Sequence, residues 1–176
     1  ELMLRIYKSL TFLFYPIFIL IIFLRKILNK ENNESFKSKL FPSKLQINKD
    51  ESKSLIWFHA ASVGEAQSII PLIKKILNKE ENTEILITTI TQSSAFLMRK
   101  KFEKYENVKH RFFPLDIKFL IDRFLDGWKP NLVIFVDSEI WPNFLSEIKK
   151  RNISLILLNG RITKRSYLKW SKVSNF

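Results

Sequence analysis

Five short apolar runs, each followed by a stretch with helical periodicity, constrain the fold of this chain more than any other feature. The runs occupy residues 55–60, 84–89, 108–113, 132–136 and 153–159. Helical periodicity marks residues 65–78, 93–105, 117–128 and 142–151, and another helix is predicted from Lys164 onward. Strands that are apolar on both faces and alternate with helices are typical of a parallel sheet with helices on both faces. The chain is therefore predicted to be an α/β protein that binds ligands at the carboxyl ends of its strands.

Residues 10–24 form an uncharged apolar run with basic residues on both sides. A full membrane span usually needs about 20 apolar residues, so the run predicts either a short span or a helix in the membrane interface. A buried core helix is the alternative, but the run lacks the polar face that such a helix needs. We expect residues 1–30 to form one membrane anchor helix.

The polar residues 31–54 are predicted to be a linker with one short helix around 36–41, and residues 55–176 to be the α/β domain. The sequence begins at Glu1 rather than Met and ends within a predicted helix. It is therefore interpreted as a fragment.

The charge balance of the chain points to an anionic partner. The formal net charge is +13, with lysines scattered along the sequence. No nucleic-acid signature accompanies them, so an anionic membrane surface is the favoured partner and nucleic acid is not expected. The chain has no cysteine and only two histidines, which excludes disulfides, thiolate sites and a histidine-rich metal site.

The loop after the first predicted strand carries the first candidate for chemistry. Ser62 and Glu65 have the spacing of a capping box, in which each side chain binds a free N–H group at a helix start. Glu65 is alternatively a general base, because the helix dipole keeps a carboxylate at this position ionised. Gly64 lets a substrate approach the backbone closely. Spacing alone leaves both interpretations open, and His59 is interpreted as a structural histidine.

Two further loops carry candidates. Glu139 and Trp141 follow the fourth strand, where an aromatic ring beside carboxylates suits a sugar, although acidic residues are also common at helix starts. Arg161 follows the fifth strand and can bind a phosphate or carboxylate, or belong to a solvated basic face. With three glycines, the chain has no dinucleotide or P-loop motif, which argues against an oxidoreductase or NTPase.

Five segments occur in an order that resembles one enzyme family. They are WFHAASVGE at 57–65, ITTITQSS at 87–94, PLD at 114–116, SEIWPN at 138–143 and NGRITKRS at 159–166. With the apolar N-terminus, the chain resembles the N-terminal half of the 3-deoxy-D-manno-octulosonic acid (Kdo) transferases. It departs from the family pattern at Phe41 and Ser94, where glycine is usual, and at Gly160, where alanine is usual.

The resemblance implies the Rossmann-like N-terminal domain of a GT-B glycosyltransferase. Such enzymes transfer Kdo from CMP-Kdo to a lipid A precursor with inversion, and no cofactor or metal is expected. Glu65 matches the proposed general base of the family. Ser62, Gly64, Glu139 and Arg161 match positions in its acceptor or active site.

The expected partners and location follow from the same resemblance. The lipid A precursor and an anionic membrane surface are the expected partners, and CMP-Kdo is expected to bind through a C-terminal domain that this chain does not contain. The expected location is the bacterial inner membrane, with the catalytic domain facing the cytoplasm. The alternative is a non-catalytic, membrane-tethered α/β binding module, which the absence of a second α/β half from the gene would favour.

Overall fold

The computed structural model describes residues 2–42, 49–137 and 139–160, and it contains five strands and seven helices in that part of the chain. The strands are β1 (Ser54–His59), β2 (Thr83–Thr89), β3 (Val108–Phe112), β4 (Leu132–Val136) and β5 (Ser154–Leu158). The helices are α1 (Leu2–Leu13), α2 (Tyr15–Ile27), α3 (Asn33–Leu40), α4 (Val63–Lys79), α5 (Gln92–Phe102), α6 (Lys118–Trp128) and α7 (Pro142–Lys150). The helix predicted from Lys164 lies outside the described residues.

The strands form one parallel sheet in the order β3-β2-β1-β4-β5. The central strand β1 pairs with β2 on one side and with β4 on the other. Every residue of β2 is buried, as expected for a strand that is covered on both faces. Because all five strands run in the same direction, their carboxyl ends and the loops that follow lie at one edge of the sheet.

Helices cover both faces of the sheet, each over its own apolar core. Trp57 and Phe135 lie on the face covered by α6 and α7, together with Phe144. Phe58 and Ile134 lie on the opposite face, which α4 and α5 cover. Neighbouring residues of one strand therefore enter different cores, which is why the apolar runs are continuous. The predicted parallel α/β fold with helices on both faces is confirmed.

The N-terminus differs from the predicted single anchor helix. Helices α1 and α2 meet at Phe14 with a bend of 53°. Pro16 lies in the first turn of α2, where its ring clashes with the carbonyl four residues earlier and stops α1 from continuing. Within the described ranges, no single helix has both the length and the apolarity of a membrane span, whereas the bent pair meets both criteria together.

Both N-terminal helices pack on the α/β domain along one side. The Tyr7 hydroxyl donates to Asp116 Oδ2 at 2.9 Å, and Lys8 Nζ donates to Glu147 Oε1 at 3.0 Å. The rings of Tyr15 and Phe119 pack edge to face at a centroid separation of 5.1 Å. Away from these contacts, the pair and the residue after it expose large apolar side chains: Leu2, Met3, Ile6, Leu10, Leu13, Phe14, Ile17, Leu20, Ile21, Phe23, Leu24, Ile27 and Leu28.

The segment that follows α2 also packs on the domain. Asn32 caps α3, and its side chain accepts from the Ser35 N–H at 2.7 Å. Leu40 is fully buried, and the Lys39 carbonyl accepts from the Leu115 N–H at 3.2 Å. The short helix in the predicted linker therefore spans Asn33–Leu40 and holds the chain against the loop after β3.

Strand β5 forms one edge of the sheet among the described strands. Leu155, Ile156 and Leu157 are between 38% and 48% exposed, in contrast to the mostly buried β4 beside them. Both faces of β5 therefore present apolar surface.

Candidate functional site

The loops that follow β1, β2, β3 and β4 meet at the carboxyl edge of the sheet. Ala60 continues β1, and its N–H donates to the Thr88 carbonyl of β2 at 3.0 Å. The Phe113 N–H donates to the Thr89 carbonyl at 2.9 Å and carries the loop after β3 to the same edge. No site residue was predicted in the loop after β3, so this loop is an addition to the site.

Glu65 lies in the first turn of α4, directly after β1. Its Oε2 accepts from the Ala61 N–H at 2.7 Å, and its Oε1 accepts from the Ser62 hydroxyl at 2.8 Å. Ser62 is the N-cap, and its Oγ accepts from the Glu65 N–H at 3.3 Å. The capping interaction expected of Ser62 is present, but the carboxylate of Glu65 binds the N–H of the residue before the cap. These bonds fix the carboxylate over the loop.

The space above Gly64 is open. A Cβ atom built on Gly64 meets no atom within 4 Å, and no glycine among the described residues has a positive φ. The backbone conformation therefore does not require glycine at this position. The open space leaves room for a ligand beside Glu65, which is the role expected of Gly64.

Glu139 lies on the loop between β4 and α7, close to His59 of β1. Its Oε2 accepts from Trp141 Nε1 at 2.8 Å and lies 3.5 Å from His59 Nε2. The contact with His59 lowers the pKa of Glu139 although the carboxylate is half-buried. Glu139 is therefore ionised at neutral pH and held beside an imidazole.

His59 is fully buried, and its ring stacks on Phe113 at a centroid separation of 3.7 Å. Nδ1 lies 3.0 Å from the Thr88 hydroxyl, which accepts from Trp57 Nε1 at 2.8 Å. Nδ1 also lies 3.2 Å from the Thr88 carbonyl, which can only accept, and the Thr88 hydroxyl can donate to the Phe58 carbonyl at 3.4 Å, so Nδ1 finds a partner in either neutral tautomer.

Burial lowers the pKa of His59, while the charges of Glu139 and Glu65 raise it in part. Both carboxylates therefore lie close enough to the ring to affect its charge. The packing of His59 agrees with its interpretation as a structural histidine. Its Nε2 is buried and makes no hydrogen bond within the described part of the chain, but it lies 3.5 Å from Glu139 of the loop after β4.

A cavity of about 260 Å³ adjoins this cluster. Its walls come from α2, α3 and the loops after β2, β3 and β4. The lining residues are Ile22, Arg25, Glu31, Lys39, Ile90, Phe113, Pro114, Leu115, Asp116 and Trp141. Two of these residues also belong to the cluster around His59: Phe113 stacks on the imidazole, and Trp141 donates to Glu139. Glu139 and His59 therefore adjoin the cavity through Trp141 and Phe113, and Glu65 lies at the same edge of the sheet.

Glu31 is the buried acid of the cavity, with 4% of its surface exposed. Its Oε1 accepts from Lys39 Nζ at 2.7 Å and from Arg25 Nε at 3.0 Å. Although burial raises its pKa, the hydrogen bond from Lys39 outweighs this effect together with the other contacts, and the pKa of Glu31 is lowered. Its Oε2 is buried and has no hydrogen-bond partner within the described part of the chain.

Asp116 joins the cavity to the start of α7. Its carboxylate accepts from the N–H groups of Asn143 at 3.2 Å and Phe144 at 3.0 Å, and also from the Tyr7 hydroxyl. Burial raises the pKa of Asp116, and these hydrogen bonds oppose the rise. This carboxylate therefore orients α7 and the Trp141 that precedes it.

The structure brings four of the five predicted site residues to the carboxyl edge of the sheet. Ser62, Gly64 and Glu65 share the loop after β1, and Glu139 approaches from the loop after β4. Arg161 lies outside the described residues, as does Ser138 of the SEIWPN segment. No group of three or more histidine, aspartate or glutamate side chains that could hold a metal occurs in residues 2–42, 49–137 and 139–160.

Several residues of the site were not predicted. Arg25, Glu31 and Lys39 belong to segments interpreted as anchor and linker, and Phe113 and Asp116 follow β3. The PLD motif at 114–116 was the one sequence signal for this region. This motif was noted because it is part of the family resemblance, and no chemical role was predicted for it.

Comparison with known proteins agrees with the resemblance of the sequence motifs. Residues 34–176 match the family described as 3-deoxy-D-manno-octulosonic-acid transferase (kdotransferase). The chain is 36% identical over 174 residues to the 3-deoxy-D-manno-octulosonic acid transferase of Rickettsia bellii. The aligned region covers 99% of the chain and 40% of the relative. It is 35% identical over 168 residues to a probable mitochondrial 3-deoxy-D-manno-octulosonic acid transferase of Arabidopsis thaliana. Here the aligned region covers 95% of the chain and 36% of the relative.

The chain thus spans less than half the length of these curated relatives. Within that span the match extends over nearly the whole chain and includes the loops that carry Glu65 and Glu139. The chain therefore belongs to the 3-deoxy-D-manno-octulosonic acid transferase family of glycosyltransferases.

Proposed function

We propose that this chain is the acceptor-side half of an inverting GT-B enzyme that transfers Kdo from CMP-Kdo to lipid IVA, a lipid A precursor. The observation that carries the proposal is the carboxylate of Glu65. It is fixed at the carboxyl edge of the sheet beside open space, and a cavity with a tryptophan wall lies at the same edge. Membership of the family indicates Kdo as the transferred sugar. The site offers a carboxylate that can act as the base and open space for an acceptor.

In the proposed reaction, Glu65 accepts the proton of an acceptor hydroxyl as that oxygen attacks the anomeric carbon of Kdo. The bond between that carbon and the CMP phosphate breaks, and CMP leaves with the bonding electrons. A single displacement of this kind inverts the anomeric centre. General-base help of this kind typically contributes about 10²–10⁴-fold in rate.

Glu139 has a second role in the proposal. Its ionised carboxylate accepts from Trp141 and lies 3.5 Å from the imidazole of His59. A fixed negative charge there stabilises the positive charge that develops on the sugar ring as CMP leaves. Arg161 is proposed to bind an anionic group of the acceptor or donor.

The membrane is the proposed location of the acceptor and of the enzyme. The outer side of the α1–α2 pair exposes large apolar side chains, and the basic residues Arg25 and Lys26 lie in the last turn of α2. Apolar burial and attraction to anionic lipids act together in membrane attachment of this kind. We propose attachment to the bacterial inner membrane, with the α/β domain on the cytoplasmic side.

The donor site is proposed to lie in the C-terminal part that the longer relatives possess. CMP-Kdo would bind there, across a cleft from Glu65. Residues 1–176 alone are therefore expected to bind the acceptor and to transfer no sugar.

The test is a transfer assay with the two-domain enzyme, CMP-Kdo and lipid IVA in detergent. We expect release of CMP together with a Kdo-bearing lipid of inverted anomeric configuration, read by mass spectrometry and NMR. Residues 1–176 alone serve as the negative control. Absence of product from the two-domain enzyme, with lipid binding intact, would favour a non-catalytic binding module instead.

A further inference from the structure

The start of α7 depends on a cap from elsewhere in the fold. Trp141 occupies the N-cap position, but an indole can only donate a hydrogen bond and therefore cannot cap a helix. Pro142, the first residue of α7, has no N–H, and the Leu145 N–H donates to the Trp141 carbonyl at 2.9 Å. Two N–H groups of the first turn, those of Asn143 and Phe144, need acceptors that the helix itself does not provide.

Asp116, which follows β3, supplies both acceptors. Its Oδ2 accepts from the Asn143 N–H and its Oδ1 accepts from the Phe144 N–H, so this carboxylate takes the place of an N-cap side chain. The backbone carbonyl of Asp116 also accepts from Asn143 Nδ2 at 2.6 Å, and Asn143 is fully buried. The position of the first turn of α7 is therefore set by Asp116.

Helix α1 binds the same groups. The Tyr7 hydroxyl donates to Asp116 Oδ2 at 2.9 Å, and burial raises the pKa of Tyr7, so the hydroxyl keeps the proton that it donates. Thr11 lies one turn further along α1, and its hydroxyl oxygen accepts from Asn143 Nδ2 at 3.2 Å. Two side chains on one face of α1 therefore hold the carboxylate and the amide that fix the start of α7.

Trp141 connects the start of α7 to the candidate site. It directly precedes Pro142, and its Nε1 donates to Glu139 Oε2 at 2.8 Å. Its ring lies 5.6 Å from the ring of Phe113, which stacks on His59. A shift of the first turn of α7 would move the indole that binds Glu139. The contacts thus form a continuous path from α1 to the Glu139 carboxylate.

We propose that Tyr7 and Asp116 are positioning residues for Glu139. Helix α1 then has a second role besides membrane attachment: it fixes the first turn of α7 and, through Trp141, the carboxylate of Glu139. Neither Tyr7 nor Asp116 contacts the reacting groups. The proposal rests on the proposed function for the role of Glu139, but the link between α1 and Trp141 can be measured without any transfer of sugar.

The first test observes Trp141 directly. The two-domain enzyme is labelled with 5-fluorotryptophan in nanodiscs of phosphatidylcholine and phosphatidylglycerol, and the ¹⁹F resonance of Trp141 is assigned with Trp141→Phe. Glu139→Gln is the reference for a changed contact of the indole. Tyr7→Phe, which removes only the hydroxyl, should shift the Trp141 resonance. Tyr15→Phe is the matched control and should not shift it, because the Tyr15 hydroxyl of α2 donates to the Leu40 carbonyl.

The second test measures transfer by the same preparations. Tyr7→Phe should lower kcat by about 3–10-fold, which corresponds to one hydrogen bond of ordinary strength. The KM for CMP-Kdo should not change, because Glu139 acts on charge that develops only in the transition state. Asp116→Asn turns an NH₂ group towards one N–H of α7 in either orientation of the amide. It should lower kcat further, up to the roughly 10²-fold that a misplacement of about 1 Å can cause.

Membrane attachment and folding are controlled separately. Tyr7→Phe and Tyr15→Phe keep their aromatic rings, so both should sediment with phosphatidylglycerol vesicles as the unchanged enzyme does. Thermal unfolding shows whether each variant is folded at the assay temperature. Tyr7→Phe alone decides the test if Asp116→Asn melts below that temperature.

The outcomes separate this proposal from the proposed function. An unchanged Trp141 resonance in Tyr7→Phe overturns the proposal even when the enzyme transfers Kdo. An equal shift in Tyr15→Phe also overturns it, because any change in the N-terminal helices then has the same effect. A selective shift with an unchanged kcat overturns the positioning role. A selective shift in an enzyme without detectable transfer supports the link from α1 to Trp141, and the proposed function alone then fails.

Discussion

Replacement of Glu65 by glutamine separates catalysis from helix capping, because the structure shows which hydrogen bonds glutamine can keep. The glutamine oxygen can accept from the Ala61 N–H in place of Oε2. The glutamine NH₂ can donate to the Ser62 oxygen, and the Ser62 hydroxyl proton can turn to solvent because Ser62 is exposed. Glutamine thus keeps both hydrogen bonds, with the donor and acceptor exchanged in the bond to Ser62. It loses only the group that can accept a proton.

The expected magnitudes differ enough to distinguish the two roles. Loss of a negative charge in the first turn of a helix costs about 0.3–1 kcal/mol, which lowers the melting temperature of a domain of this size by no more than about 4 °C. Loss of general-base help lowers the rate by about 10²–10⁴-fold. Ser62→Ala is the matched control, because loss of the cap costs about 1 kcal/mol and leaves the Glu65 carboxylate in place.

The assay compares turnover of CMP-Kdo with lipid IVA and thermal unfolding in the same two-domain preparations. Glu65→Gln should melt close to the unchanged enzyme and lose nearly all transfer. Ser62→Ala should melt lower and keep much of its activity. If Glu65→Gln retains more than about a tenth of the rate, the reasoning is refuted, and Glu139 becomes the candidate base.

Three further predictions concern stability and membrane attachment. Burial and the charges of two neighbouring arginines lower the pKa of His110 from 6.5 to about 3. The contribution of neutral His110 to the free energy of unfolding should thus be fully present above about pH 6.5 and be lost as the pH decreases towards 3. In urea unfolding, His110→Gln should reduce the dependence of this free energy on pH by up to about 1.4 kcal/mol per pH unit. Glu147 is 3% exposed among four partly exposed cationic side chains, so Glu147→Gln should lower the free energy of unfolding by about 1.5–3 kcal/mol, the range for a hydrogen bond to a charged group, with Glu81→Gln at an exposed position as the control. Replacement of the exposed Leu13, Leu20 and Leu24 of the N-terminal helices by serine should shift the chain from the membrane pellet to the supernatant. An unchanged distribution would contradict membrane attachment through these leucines.

The alternation of elements was predictable because each strand is apolar on both faces. The fourth predicted strand coincides with Leu132–Val136, and the fifth differs from Ser154–Leu158 by one residue at each end. Strand order was not predictable from these runs. It depends on the direction in which each helix crosses the sheet, and α6 carries the chain from one edge strand back past β1 to β4.

The candidate site was predictable where one loop carries its own chemistry, and not where residues meet across the fold. Ser62 and Glu65 are three residues apart, so their interaction follows from local geometry. His59 and Glu139 are 80 residues apart, and only the pairing of β1 with β4 brings them together. The break between α1 and α2 had a local signal in Pro16, which was present in the apolar run but was not used to divide it.

The contacts of Asp116 have a practical consequence for the preparation of this protein. Its carboxylate holds both Tyr7 of α1 and the first N–H groups of α7, and the Asn143 amide also donates to Thr11 at 3.2 Å. A chain shortened to begin after α2 loses the partners on α1 and exposes apolar surface on α6. Polar substitutions on the outer side of α1 and α2, with Tyr7 and Thr11 retained, are therefore a better route to a detergent-free sample for crystallisation than truncation.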